Sequence, residues 1–217
     1  MRQHTGSPRL LTGGGRGLLL PLLVVVFIGA TGWLASTILP WRDFFSEAPA
    51  VPVIETESLL ALVDHHGQKL APAALQNPVN LVFFGYTHCP DVCPLELATM
   101  AAALDRLGDA AGRVGAFFVS VDPERDTPEQ LASYVALFHP GITGLTGTPE
   151  EVAATAGAFH AYYARVDQED GSYTMDHFAR TMVLDRDGHL IAAIPFDQSP
   201  ETLEKAIRPL LESEEAG

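Results

Sequence analysis

Two nearly unbroken apolar runs, Val79–Phe84 (VNLVFF) and Gly115–Val121 (GAFFVSV), dominate the hydropathy pattern. Runs of this length without polar alternation predict strands buried on both faces. Leu59–Val63 predicts a shorter strand, followed by His65-His66-Gly67 as a turn. Between the two long runs, Pro94 to Leu107 predicts a helix, since proline is favoured in a first helical turn. Thr127-Pro128-Glu129-Gln130 and Thr148-Pro149-Glu150-Glu151 each place Thr at an N-cap, Pro at the first helical position and Gln or Glu at the third. These capping-box patterns open helices to about Phe138 and His160. Thr181–Asp185 and Leu190–Ile194 flank Arg186-Asp187-Gly188-His189, and Asp-Gly between two apolar runs marks a hairpin. Ser199 and Pro200 open a last helix to about Glu212.

The order is strand, cysteine-bearing loop, helix, strand, two helices, hairpin, helix. A strand–helix–strand unit followed by a hairpin and a helix builds a central mixed sheet covered by helices on both faces. With a cysteine pair at the first strand-to-helix junction, this α/β arrangement has the thioredoxin-like layout.

The segment Gly17–Leu39 carries no charged side chain. At 1.5 Å per residue it is long enough for a hydrocarbon core of roughly 30 Å, so a transmembrane helix is predicted over 17–39. Arg2, Arg9 and Arg16 precede it without an acidic residue among them, whereas Arg42, Asp43 and Glu47 follow. Positive flanks stay in the cytoplasm, which puts residues 1–16 inside and the remainder outside. A cleaved signal peptide is the alternative; the run is long for one, and Ala48-Pro49-Ala50 lies too far downstream to serve as its cleavage site. Residues 40–57, with three prolines up to Pro52, read as a tether, residues 58–212 as the thioredoxin-like domain and 213–217 as a tail. The absence of a Ser/Arg-rich transit segment favours a bacterial inner membrane, with the domain in the periplasm, over a mitochondrial one.

Past residue 50 the chain has nine Lys and Arg against 25 Asp and Glu, a balance of −16. Such acidity argues against a nucleic-acid partner.

The only cysteines, Cys89 and Cys93, enclose Pro90-Asp91-Val92. On a helical turn, residues four apart share a face, so both sulfurs can meet one metal ion or each other. The positive end of the following helix favours thiolate, the metal-binding and nucleophilic form. A plain stabilising disulfide is the bland alternative, but a bridge closing so short a loop removes little unfolded-state entropy. A soft ion on two thiolates needs a further ligand, and imidazole suits copper; zinc more often takes four ligands. Of the eight histidines, His4 is on the wrong side of the membrane, and His139 and His160 end helices. His65, His66 and His189 read as turn residues, and His88 adjoins Cys89. His177, just before the Thr181 strand, enters the sheet beside the cysteine loop in a thioredoxin-like layout, and is the candidate by position. Asp176 is a candidate for holding nearby groups in place, or an ordinary turn aspartate. Asp122, Arg125 and Asp126 read as turn and cap residues, with a docking surface as the alternative. Met175 and Met182 read as core fillers rather than thioether ligands.

The segment Phe84-Gly85-Tyr86-Thr87-His88-Cys89-Pro90-Asp91-Val92-Cys93-Pro94 resembles the signature of the Sco/SenC family. So do Ser120–Pro128, Phe138-His139-Pro140, Gly144–Thr148 and Asp176-His177, which occur in family order across about residues 55–212. The resemblance implies a thioredoxin-like fold behind a membrane anchor. It implies copper, as Cu(I) or Cu(II), on Cys89, Cys93 and His177. It also implies a role in assembling the CuA site of cytochrome c oxidase subunit II, by delivering copper or by reducing that site's cysteines. Other periplasmic copper carriers are further candidate partners. One position departs from the family: where Ser or Thr usually follows the Asp-His pair, this chain has Phe178.

The expectation is therefore a metal-binding assembly factor, not a turnover enzyme, with a membrane-anchored thiol–disulfide oxidoreductase as the alternative. In the latter, Cys89 is the nucleophile and Cys93 resolves the mixed disulfide. A thiol peroxidase shares the fold, but no matching active-site arrangement is present.

Overall fold

A computed structural model describes residues 52–215. The expected transmembrane helix (17–39), its cytoplasmic flank (1–16), the tether as far as residue 51 and the last two residues of the tail lie outside them. Among the described residues no helix is long and apolar enough to cross a membrane.

The domain is a six-stranded mixed sheet with a separate two-stranded hairpin. Strands β1 (Val63–Asp64), β2 (Val79–Gly85), β3 (Val114–Ser120), β4 (Ile142–Thr146), β7 (Arg180–Asp185) and β8 (Leu190–Pro195) form the sheet in the order β1-β4-β3-β2-β7-β8. β2, β3 and β4 run parallel, while β1, β7 and β8 join antiparallel. Every residue of β2 and β3 is buried. Because successive side chains point to opposite faces, that pattern requires cover on both sides of the sheet. Four α-helices supply it: α1 (Val92–Leu107), α2 (Pro128–Val135), α3 (Pro149–Ala158) and α4 (Pro200–Glu215). The thioredoxin-like layout and both long apolar strands are thus as the sequence predicts.

The predicted caps form. The Thr127 hydroxyl accepts the Gln130 N–H at 3.3 Å. Thr148 and Glu151 make the reciprocal box, with bonds of 3.2 and 2.9 Å. The first of these helices ends at Val135, short of Phe138, because the Leu137 and Phe138 N–H groups turn to the carbonyls of Tyr134 and Val135 three residues back. Such tightened turns satisfy orphan carbonyls at helix ends.

Leu59–Val63 is not a strand. Thr56–Ala61 is a 3₁₀ helix, and only Val63–Asp64 pairs, with β4. Leu59 and Leu62 are both fully buried and stand three apart, the period of a 3₁₀ turn rather than of a strand. Residues ahead of position 58 also belong to the domain's contacts: the Ile54 N–H donates to the Gly188 carbonyl at 2.7 Å and the Pro52 carbonyl accepts from Leu190 N–H.

Strands β5 (Tyr163–Asp167) and β6 (Tyr173–His177) pair only with each other, antiparallel, with Tyr163 opposite His177. This hairpin carries His177 at its end and leads directly into β7.

Candidate metal centre

The site is built where β2 stops. The chain leaves the buried strand at Gly85, turns through Tyr86–Asp91 and starts α1 at Val92. Only Cys93 therefore sits in the helix; Cys89 lies in the loop before it. The Asp91 side chain caps nothing. Instead the Cys89 sulfur accepts the Cys93 N–H at 3.4 Å, using one of the free donors of the first helical turn. Cys93 is fully buried, Cys89 is half-buried, and both thiols are free.

His177 arrives from the far end of the β5–β6 hairpin, 84 positions along the chain, with Nε2 3.4 Å from the Cys93 sulfur. Its ring stands edge-on to Phe83 and Tyr86, each with centroids 5.8 Å away. One ligand atom from each of Cys89, Cys93 and His177 lies within 4.8 Å of the others. Metal bonds of about 2.3 Å to sulfur and 2.0 Å to nitrogen, set 120° apart, would separate a sulfur and a nitrogen by roughly 3.7 Å. The observed spacing fits a single ion with little rearrangement, and two thiolates with an imidazole form a soft donor set.

The two thiols differ electrostatically. The Cys93 thiol donates a hydrogen bond that holds Cys89 well below the ordinary cysteine range, aided by His177 and by the Asp91 and Cys93 backbone N–H groups, while burial acts against them. Cys93 is pushed above that range, first by this shared bond, then by burial and the charge of the neighbouring thiolate. The pair thus holds one proton between two sulfurs, placed on the buried one.

Sequence reasoning missed several residues that shape the site. A Cβ at Gly85 would stand 2.7 Å from the Cys93 sulfur and 2.7 Å from the Phe118 ring, so only glycine lets the helix seat its sulfur against the strand. Asp126, read as a turn residue, is fully buried and reaches back to the cysteine loop. It accepts from the Thr87 N–H (3.0 Å), the Thr87 hydroxyl (2.6 Å) and the Ser120 hydroxyl (2.6 Å). Glu96, one turn beyond Cys93, is buried and accepts a hydrogen bond from Thr181 of β7, while its Oε2 has no partner. Spacing from Cys93 could have flagged Glu96 as an acidic residue on an apolar helix face.

Asp176 has an exposed side chain on β6. The buried Nδ1 of His177 has no hydrogen-bond partner, so Asp176 does not hold the imidazole. Phe178 packs against the core, and its N–H donates to the Tyr162 carbonyl at 2.8 Å, anchoring the residue after His177. Met175 and Met182 are buried, as core fillers are. His88 is exposed, with Nδ1 3.1 Å from the Thr87 hydroxyl. His65 and His139 instead accept backbone N–H groups, of Gly144 and Gly141.

A thioredoxin-like domain that gathers two unbridged cysteines and a histidine at its first strand–helix junction defines a class of thiol-based metal-binding proteins. The chain belongs to the SCO1/SenC family, whose family model matches residues 54–212. It is 39% identical over 132 residues to protein SCO1 homolog 1, mitochondrial, of Arabidopsis thaliana, and 34% identical over 151 residues to protein sco1 of Schizosaccharomyces pombe. These alignments cover 60% and 68% of the chain, but only 40% and 57% of those two relatives. Among solved structures, it is similar to Bradyrhizobium japonicum ScoI with copper bound, at 40% identity and a TM-score of 0.62, over 69% of this chain and 93% of that one. Arabidopsis thaliana ScoI with copper bound is similar at 33% identity and a TM-score of 0.64, over 70% and 95%.

Proposed function

We propose that the chain is a copper metallochaperone. It binds one copper ion through Cys89, Cys93 and His177 and assists assembly of the CuA site of cytochrome c oxidase subunit II. Its work is done as a membrane-anchored protein of a bacterial inner membrane, with the domain in the periplasm. It is a binding and transfer protein rather than a turnover enzyme, and copper is its cargo.

The observation that carries this reading is the approach of His177 Nε2 to the Cys93 sulfur. A dithiol oxidoreductase has no need of an imidazole at that place, whereas a three-coordinate soft-metal site does. The copper-bound relatives support the choice of ion. In transfer, the half-buried Cys89 and His177 meet incoming donors, while the fully buried Cys93 holds the ion longest.

A second reading, reduction of the partner's cysteines, is favoured by the depressed Cys89 thiolate beside a protonated Cys93. Such a pair can attack a disulfide through Cys89 and resolve it through Cys93.

Metal analysis and visible absorption of the purified protein test the first reading. One copper per chain and a Cu(II)–thiolate band are expected. H177A should weaken copper binding while leaving both thiols reactive; unchanged copper affinity in H177A would favour the oxidoreductase.

A further inference from the structure

The β5–β6 hairpin pairs with no strand of the six-stranded sheet, yet it delivers a ligand to within hydrogen-bonding distance of a fully buried sulfur. Something other than backbone pairing must dock it. Met175 of β6 packs into the core, and the polar contacts of Tyr173 converge on Arg125, in the loop after β3. Its Nη1 donates to the Tyr173 carbonyl at 3.1 Å. Its guanidinium carbon lies 3.6 Å from the centroid of the Tyr173 ring and 5.8 Å from that of Tyr86. The Asp122 carboxylate holds the guanidinium through Nε, and the same carboxylate accepts the Tyr173 hydroxyl at 2.9 Å. Arg165 covers the other face of Tyr173, also at 3.6 Å, so the ring is clasped between two cations. Tyr173 opens the strand that His177 ends, and Tyr86 touches the His177 ring directly.

We infer that Arg125 is the positioning residue for His177: with Asp122 and Tyr173 it latches the hairpin to the sheet, and with Tyr86 it fixes where the imidazole stands. A planar, permanently charged fork that stacks on a ring while donating at its edge is what the site requires, and lysine cannot provide it. The proposal rests on the copper reading above and adds a residue that touches no metal ligand. It gives a physical role to a motif residue that the sequence leaves as a turn.

The test uses the full-length protein in detergent. Wild type, R125A, H177A and the double variant are titrated with Cu(I) against a chromophoric chelator, and the Cu(II) forms are examined by electron paramagnetic resonance. R125A is expected to weaken copper binding roughly ten- to a hundredfold, the usual range for a residue that orients a ligand. It should also diminish the nitrogen hyperfine signal of the imidazole, with both thiols still titratable. In the H177A background the same substitution should change affinity by no more than about twofold, because the residue it acts through is gone. Without copper, R125A should speed amide exchange across Tyr173–His177 and leave β2 and β3 protected.

Wild-type affinity in R125A, or an equal loss with and without His177, overturns the latch. If R125A does not fold, Y173L removes the ring on which the guanidinium lies and carries the same expectations. If H177A itself binds copper like wild type, the copper reading fails, and that outcome is distinct from a failure confined to R125A.

Discussion

Gly85 and Cys93 face each other across a gap that admits a hydrogen atom and nothing larger: a methyl group on the Gly85 Cα would lie 2.7 Å from the Cys93 sulfur. The strand end and the helix start are pressed together there, with the Phe118 ring closing the same space. G85A should therefore displace the sulfur or the helix. A loss of about 1–3 kcal/mol, typical of overpacking, is expected in chemical denaturation. Weaker copper binding should accompany it, and a variant with wild-type stability and affinity would show that the gap is looser than described.

The unequal thiols predict unequal chemistry. Thiolate is the reactive form, and Cys89 holds its charge far below the ordinary cysteine range of about 8.5. At about pH 6, iodoacetamide should modify one cysteine per folded apo chain, and peptide mass spectrometry should place it at Cys89. Equal modification of Cys89 and Cys93, or a Cys89 rate rising only near the ordinary range, would contradict the proton's placement.

Glu96 ties helix α1 to strand β7, and burial pushes its carboxyl up to about 7, with the Thr181 bond acting the other way. The folded protein thus keeps this proton over a range in which the unfolded chain, near 4.5, has lost it. Its contribution is present below the unfolded value and is lost as pH rises through that window to about 7, on the order of 3 kcal/mol in all. Denaturation of wild type and E96Q between these limits isolates the effect. The stability difference should shift against wild type with rising pH, and a constant difference would refute it.

Asp126 gathers three donors around one buried carboxylate. D126A strands the Thr87 N–H, the only one of the three that cannot rotate to a new partner, and frees the loop in front of Cys89. A loss of about 2–4 kcal/mol is expected by urea denaturation. Copper binding should weaken alongside it, since Thr87 stands two residues from Cys89; unaltered stability would mean that the loop is held by other contacts.

The parts of the fold visible in the sequence are those with a strong local signal. Val79–Phe84 and Gly115–Val121 lie at the sheet centre, where burial on both faces leaves an unbroken apolar run. The Thr-Pro helix starts and the Asp-Gly hairpin carry their own chemistry. β5 and β6 were silent because YARVD and YTMDH are largely exposed or half-buried and pair only with each other. The cysteine pair was legible from spacing, and His177 from its place before β7 together with the family resemblance. Asp126, Glu96 and Gly85 act through partners distant in sequence or through the space they leave empty, and neither is written in a local pattern.

Cys93 has no exposed surface while Cys89 retains some. A nucleophile or metal acceptor from outside therefore meets Cys89 or His177, both half-buried, before it meets Cys93. For the proposed copper centre this gives exchange a polarity: the partly exposed donors are replaced before the buried sulfur. On the proposed copper reading the buried Cys93 sulfur is the last to let go, so an ion would reach an acceptor without an interval as a free solute.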